Sequence, residues 1–428
     1  MWIPITFYVV IIALALIRPY LGLVGLIASL LIRFQNRFEA IAAVPTFQIV
    51  AIALIIGVIL HRDQVNDPRL QLDRLIGWFA GYVFVGVLLM NRLQVIEQMT
   101  GLLSSILIYY LVTRLVTSRR QLIGLLLSVL VVTVGLAVES LASYYGDIES
   151  PFSNPMTGRL QGLGYYANAN EFGKLMCTAI PFTAMFVVRG GLVVRLVAIA
   201  AIIAMTVVIG ETLSRTCFVT LGVVLASAIV LRGSGRIFKK IAITGIVGVI
   251  LLFGLTYLPG PLQERAQSIT EYSTDKSFQG RVRSWDQGFQ MVSWYPVFGV
   301  GKGQWGEYHG RSPHNSYVQV LAETGIPGFI LFMSVVWVSF RSVTRHLLKV
   351  SNSKSIDLYV IGLAIASSYC GYLFYIFLGN QGYSPWTYFY FGLCGVFSFL
   401  ASAEDSAASE DQLESTASDD ATNSAKIT

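Results

Sequence analysis

Three polar motifs between long apolar runs carry basic side chains that could do chemistry. Arg215 lies in ETLSRTCF, Arg281 lies in GRVRSW beside Arg283, and His314 lies in SPHNSY, where Asn315 follows it. Arginine binds phosphate oxygens through a planar fork and stays protonated, and a neutral histidine can accept a proton near pH 7. Together these residues would suit a reaction in which an anionic group leaves and a hydroxyl attacks.

Each of these residues also has a purely structural interpretation. Arg215 could reach lipid headgroups or pair with Glu211, four residues earlier. Arg281 and Arg283 could be solvated loop charges, and a single loop histidine commonly has no chemical role. The functional interpretation depends on all of these groups lying on the same face of a membrane.

Two further segments contain candidate binding residues. GRLQGLGYYANANEFG combines aromatic rings with amides, and LAETG contains an acid. Aromatic rings and amides suit sugar contacts, but the same residues favour membrane interfaces and helix caps. The acid could orient its neighbours or mark the water boundary. The candidates are Arg159, Asn168, Asn170 and Glu323, with Tyr165 and Tyr166 as the aromatic residues.

Motifs for metals and cofactors are missing from the sequence. The predicted outer loops contain no Asp-x-Asp pair, and GVGKGQWG has neither the Walker A spacing nor a surrounding βαβ unit, so it is interpreted as a turn. The four cysteines lie in separate apolar runs without CxxC spacing. We therefore predict no metal, no cofactor and no disulfide, and expect arginine to neutralise the anionic group.

Composition indicates where these motifs sit. Of 428 residues, 54% are hydrophobic and 13% charged, and the mean hydropathy is +0.64, whereas soluble domains carry about 25% charged residues. Thirteen apolar runs occur, most long enough to cross a bilayer. The first two could be one broken crossing or a short hairpin. We predict an all-α, polytopic transmembrane bundle of about 12 spans.

Basic residues predict the orientation of the bundle. Clusters near 114–120, 189–195, 232–240 and 341–354 are separated by pairs of runs and can all face the cytoplasm. The motifs then face outward, within 143–171, 211–215 and 259–325. Arg33 and Arg37 would also fall outside, against the rule. The basic excess orients helices and does not indicate nucleic acid.

The predicted organisation is a transmembrane domain over 1–402 and an acidic cytoplasmic tail over 403–428. The tail has seven acidic residues and lacks aromatics, which predicts disorder. Within the large outer segment 259–325, the spacing of Trp285, Phe289 and Val292 predicts an amphipathic interfacial helix over 284–294. A turn-rich stretch follows, and a new helix is predicted to start after Pro313.

Several motifs resemble those of the O-antigen ligase and polymerase family. PHNSYVQVLAETGIPG resembles that family's histidine motif, and GRVRSWDQGFQMVSWYPVFGVGKGQW resembles its upstream element. LSRTCFVTLGVV and NANEFG resemble two earlier elements. The motif-bearing region covers about 154–328, and the motifs occur in the order typical of the family.

This resemblance implies an integral glycosyltransferase of the bacterial inner membrane, with its active site facing the periplasm. Its donor would be a glycan on undecaprenyl pyrophosphate, and its acceptor lipid A-core in a ligase or another lipid-linked repeat in a polymerase. By position, Arg215 and Arg281 match the family's essential arginines, and His314 matches its essential histidine. The ligase interpretation comes first and the polymerase second. A transporter of lipid-linked glycan is a third alternative, against which the charge-poor apolar runs argue.

Overall fold

In the computed structural model, helices account for nearly all of the regular structure. The structure describes residues 2–68, 70–146, 152, 158–163, 166–232, 276–350 and 356–424. The helices are α1 (Trp2–Ile17), α2 (Pro19–Ile32), α3 (Thr46–Leu60), α4 (Gln71–Met90), α5 (Val95–Leu115), α6 (Arg119–Gly146), α7 (Ala169–Arg189), α8 (Leu192–Glu211), α9 (Arg215–Leu231), α10 (Lys276–Trp294), α11 (Trp305–Tyr308), α12 (Ser316–Val350), α13 (Ile356–Ile376) and α14 (Pro385–Ser424).

Eight helices of the described ranges are long and apolar enough to cross a membrane, namely α4 to α8 and α12 to α14. Three shorter apolar helices, α1, α3 and α9, join them. The protein is therefore a polytopic helical membrane bundle, as the composition predicts. The predicted apolar run 237–258 lies outside the described residues, so the expectation of about 12 spans stays a prediction.

The first two apolar runs form a short hairpin and not one broken crossing. α1 and α2 run antiparallel around Arg18-Pro19, because Gly22 packs closely against Ala15 and Gly25 against Ile11. Because glycine has no side chain, the two backbones can approach closely here, as is common between membrane helices.

The ion pairs separate the two ends of the bundle. At one end Arg114 pairs with Asp73 at 3.0 Å and Arg189 with Asp357 at 3.1 Å. We call this the basic end, because Arg119, Arg341 and Arg345 also lie there. The starts of α7, α9 and α12 lie at the opposite end, which we call the site end. The structure thus separates the described basic clusters from His314 by the thickness of the bundle.

One apparent exception to the charge pattern has a local cause. Arg37 lies at the site end, where its guanidinium pairs with Glu139 of α6 at 2.6 Å. Pairing neutralises the charge of Arg37, so it adds little to the charge balance that orients the bundle.

The acidic tail differs from its prediction. Residues 403–424, expected to be disordered, continue α14 as a helix to Ser424. This stretch contains neither glycine nor proline, the two residues that oppose a helix most strongly. Nothing in its sequence therefore ends the helix that begins at Pro385.

A break in α12 shapes the site end. Gly325 has φ 68° and ψ −174°, and Pro327 lies two residues further on, so the helix is interrupted two residues after Glu323. The freed carbonyls of Ala322 and Glu323 accept hydrogen bonds from the backbone N–H groups of Val300 at 2.9 Å and Gly301 at 3.1 Å. Non-helical backbone at this depth is tolerated because other backbone groups satisfy it.

Candidate active site

His314 lies immediately before α12 in a constrained backbone. Its φ is 47°, a left-handed conformation that is uncommon outside glycine. The Trp285 indole N–H donates to the Pro313 carbonyl at 2.9 Å, which ties α10 to this loop. The Asn315 side-chain oxygen accepts from the N–H groups of Tyr317 at 3.0 Å and Val318 at 3.2 Å. Asn315 is thus the N-cap of α12 and fixes the direction in which the loop leaves the helix.

The surroundings of His314 favour its neutral form. Burial lowers its pKa below 6.5, and the positive charges of Arg281 and Arg311 lower it further, while Glu171 acts in the opposite direction. The net direction is downward, so the imidazole is uncharged at pH 7 and can accept a proton. The same electrostatics show that Arg281, Arg311 and Glu171 lie within interaction range of His314.

Arg281 is presented by α10, which is longer than the sequence predicts. The helix begins at Lys276 instead of Ser284, and it places Arg281 half-buried and Arg283 exposed. Its packing surface includes Ser284 and Met291, both fully buried. Phe289, predicted on the apolar face that rests at the membrane interface, is 55% exposed, so it does not pack into the protein interior.

Arg215 is the first residue of α9, and its neighbours fix that helix start. The Ser214 hydroxyl accepts from the Cys217 N–H at 3.3 Å and is bonded to the Asn170 side-chain oxygen at 2.7 Å. Arg159 donates to the same Asn170 oxygen at 3.1 Å and to the Thr212 carbonyl at 2.7 Å. These bonds join the α7 and α9 starts.

The residues of the amide-rich segment therefore make hydrogen bonds that hold the helix starts in place. Asn168 caps α7 by accepting from the Asn170 N–H at 2.8 Å. Asn168 is exposed, whereas Asn170 and Arg159 are half-buried. Tyr165 lies outside the described residues, and the Tyr166 ring is buried against Phe172. Sugar contacts by this segment stay a prediction.

Glu171 connects the start of α7 with the segment that follows His314. Its carboxylate accepts from Lys174 at 2.5 Å, Tyr375 at 2.8 Å and the Gln381 side chain at 3.2 Å. The backbone N–H of Gln381 donates in turn to the Ser316 hydroxyl at 2.7 Å. The α7 start is thereby bonded through the 377–384 loop to the residue two positions after His314.

Glu323 lies in a second polar cluster, whose other members are Lys302, Gln98 and Tyr383. It is 2% exposed, and one of its carboxylate oxygens has no hydrogen-bond partner among the described residues. The nearby Lys302 ammonium donates to Gln98 at 3.1 Å and lies 5.0 Å from the centre of the Tyr383 ring. Burial lowers the pKa of Lys302, and the charges of Glu323 and Glu97 raise it. Glu323 thus faces Lys302, seven residues along α12 from Ser316.

Two charged residues near His314 escape the sequence analysis. Arg311 lies three residues before His314, and its guanidinium lies where a side chain on Gly280 would be. Lys174 is 4% exposed within the apolar run of α7. An ionisable group in such a run is itself a signal of a functional site, and the Glu171-to-Lys174 spacing could have revealed the pair.

Comparison with known families supports the resemblance inferred from the motifs. Residues 200–333 match the family model described as O-antigen ligase. The matched segment contains Arg215, Arg281, His314 and Glu323, whereas Arg159 and the Asn168–Asn170 segment precede it. No curated protein matches the chain. The match confirms the family prediction and indicates a glycosyltransferase-type membrane enzyme of glycan assembly.

Proposed function

On the premise of this O-antigen ligase match, we propose that the protein transfers a glycan from undecaprenyl pyrophosphate to an acceptor hydroxyl. The reaction takes place at the periplasmic face of the bacterial inner membrane. The acceptor oxygen attacks the anomeric carbon, the bond from that carbon to the pyrophosphate oxygen breaks, and the configuration inverts. Undecaprenyl pyrophosphate leaves with the bonding electron pair, and the hydroxyl proton passes to the enzyme.

The observation that carries this proposal is the environment of His314. A half-buried, neutral imidazole beside two arginines suits a general base that works next to an anionic leaving group. Binding of the pyrophosphate would offset the charges of Arg281 and Arg311. The pKa of His314 would then rise, and the imidazole would become a stronger base when the donor is present.

The arginines take the role that a divalent metal has in other pyrophosphate chemistry. Arg281 and Arg215 bind the pyrophosphate oxygens, and Arg283 and Arg311 add positive charge at the rim. No group of three or more His, Cys, Asp or Glu side chains in the described ranges could hold a metal ion. The proposal assigns the neutralising role to arginine and includes no metal ion.

The remaining candidates act by positioning these groups. Arg159 and Asn170 hold the start of α9 and hence Arg215, and Asn168 caps α7 beside them. Asn315 caps the helix that follows His314, and the backbone carbonyl of Glu323 accepts from Gly301 and so holds the 296–304 turn. Asn168 is exposed and remains available for a sugar hydroxyl.

A transfer assay with the purified full-length protein tests this function. The donor is a defined polyprenyl-pyrophosphate-linked glycan, and the acceptors are lipid A-core and a second lipid-linked glycan in separate reactions. Product on lipid A-core indicates a ligase, and an extended lipid-linked chain indicates a polymerase. Addition of Mg²⁺ or a chelator should leave the rate unchanged.

Two controls make the assay decisive. His309→Gln changes another loop histidine, five residues upstream, and should retain transfer, whereas His314→Ala should lose it. A vesicle assay without acceptor measures movement of the donor between leaflets. Movement without any transfer would overturn the proposal in favour of a transporter.

A further inference from the structure

A cleft opens at the basic end of the bundle, far from His314. The start of α4, the second half of α12 and the middle of α14 enclose about 180 Å³. A single buried water needs roughly 10–15 Å³, so the cleft has room for a hydrated polyatomic ion. Its walls combine Arg341, Arg345 and His346 with the apolar side chains of Leu72 and Val338.

The two arginines of this cleft differ from others at the same end. Arg114, Arg119 and Arg189 each pair with a carboxylate. Among the described residues, Arg341 and Arg345 have no acidic partner, although they lie one helical turn apart on one face of α12. Like charges at this spacing repel each other. An anion between them would remove the repulsion.

The other polar groups of the cleft leave this excess of positive charge in place. His346 contacts the Ser402 hydroxyl at 3.3 Å, and Asp405 lies 3.9 Å from its other ring nitrogen. The Ser342 hydroxyl donates to the Ser339 carbonyl at 2.7 Å. Asp405 thus faces the histidine, and the arginines stay available to a ligand.

We propose that this cleft binds the phosphate of an anionic phospholipid from the cytoplasmic leaflet. Arginine forks match phosphate oxygens, and basic pockets between helices at this face are suited to anionic headgroups. The apolar wall of Leu72 and Val338 favours a lipid over free phosphate, because an acyl chain can lie against it. The site lies at the opposite end from the proposed transfer site and does not depend on that function.

Lipid retention by the purified full-length protein tests the proposal. The delipidated protein is titrated with phosphatidylglycerol, phosphatidylethanolamine or inorganic phosphate, and binding is followed by native mass spectrometry and by the apparent Tm. Phosphatidylglycerol should bind and raise the Tm. Inorganic phosphate should compete only in large excess, and phosphatidylethanolamine should bind weakly.

Substitutions locate the effect. Arg341→Gln with Arg345→Gln should weaken phosphatidylglycerol binding roughly thirty-fold, since each arginine near the surface contributes about a factor of five. The matched control, Arg120→Gln with Arg195→Gln, changes two exposed arginines of the basic end outside the cleft and should bind as the unmodified protein does. If the cleft variant does not fold, Arg341→Lys with Arg345→Lys keeps the charge and should weaken binding less.

Three outcomes would overturn the proposal. One is equal binding of phosphatidylglycerol and phosphatidylethanolamine by the unmodified protein. Another is unchanged binding in a folded cleft variant. The third is full stabilisation by inorganic phosphate alone, which would assign the cleft to a soluble anion.

Discussion

At the scale of single residues, the proposed chemistry depends on how neighbours set the proton affinity of His314. Desolvation and two nearby arginines lower its pKa, and Glu171 opposes them. Lys174 bonds to the Glu171 carboxylate at 2.5 Å, which reduces the influence of that carboxylate on the imidazole. In the proposed mechanism, His314 is therefore neutral before the donor arrives.

Loss of the imidazole should stop transfer while donor binding persists. His314→Ala is expected to lower the rate about 10²–10⁴-fold, the usual contribution of a positioned general base. Donor affinity should change little, because a base acts mainly in the transition state. Single-turnover kinetics and a donor-binding titration measure the two quantities separately. Weak donor binding with an unchanged rate of the bound complex would contradict the assigned role.

The arginines should respond differently from the histidine. Arg281→Lys keeps the charge but loses the planar fork, so transfer should fall if two oxygens are bound at once. Arg215→Lys should behave in the same way, and alanine at either position should weaken donor binding as well. Arg283→Lys is the matched comparison, because that side chain is exposed. Equal losses for Arg283→Lys and Arg281→Lys would argue against a specific fork.

The rate should also depend on pH in a direction that the structure sets. Since the pKa of His314 is lowered in the free enzyme, kcat/KM should fall only when the pH drops below 6.5. The fall in kcat should occur at a higher pH than the fall in kcat/KM, because bound pyrophosphate offsets the arginine charges. Arg311→Gln removes one positive charge and should therefore raise the pH at which kcat/KM falls. No movement in this variant would remove Arg311 from the environment of His314.

At the scale of elements, the interrupted helix α12 links the two polar clusters. Its first segment carries the Asn315 cap at one end and Glu323 at the other. A side chain on Gly325 would overlap the Val297 carbonyl, and the positive φ would be strained as well. The break, the 296–304 turn and the position of His314 therefore depend on one another.

Gly325→Ala should destabilise the protein by about 1–3 kcal/mol, the usual cost of a strained backbone position. Transfer should fall with it, because the turn supports the segment that follows His314. Gly135→Ala is the control, since a side chain there meets no atom within 4 Å in the middle of α6. Thermal unfolding in detergent measures both variants, and equal melting temperatures would show that the turn does not depend on the break.

The helices could be predicted from the sequence more completely than the contacts of the candidate site. Apolar run length and the start after Pro313 suffice for most helices, because each depends on local residues. The Asn170–Ser214 bond and the Glu171–Gln381–Ser316 connection join residues 44 to 210 positions apart. A single sequence contains no distance information of that kind. The Glu171–Lys174 pair could be inferred from its spacing, but the connection of Glu171 to the segment after His314 and the position of Arg311 are visible only in the folded protein.

At the scale of the whole molecule, charge separation between the two ends gives the bundle a direction. The described arginine clusters gather at the basic end, and the proposed transfer site lies at the other. In a membrane, basic loops stay on the cytoplasmic side. The site end would then face the periplasm, where lipid-linked glycans are used in the proposed reaction.

Cysteine labelling in intact spheroplasts tests this direction. Gly310→Cys places an exposed thiol at the site end, and Ser406→Cys places one beyond the basic end. The native cysteines Cys177, Cys217 and Cys394 are buried, and Cys370 is partly exposed, so both variants are compared with the unmodified chain. A membrane-impermeant maleimide should label Gly310→Cys at once and Ser406→Cys only after lysis. The reverse order would put His314 in the cytoplasm, on the wrong side of the membrane for the periplasmic reaction proposed here.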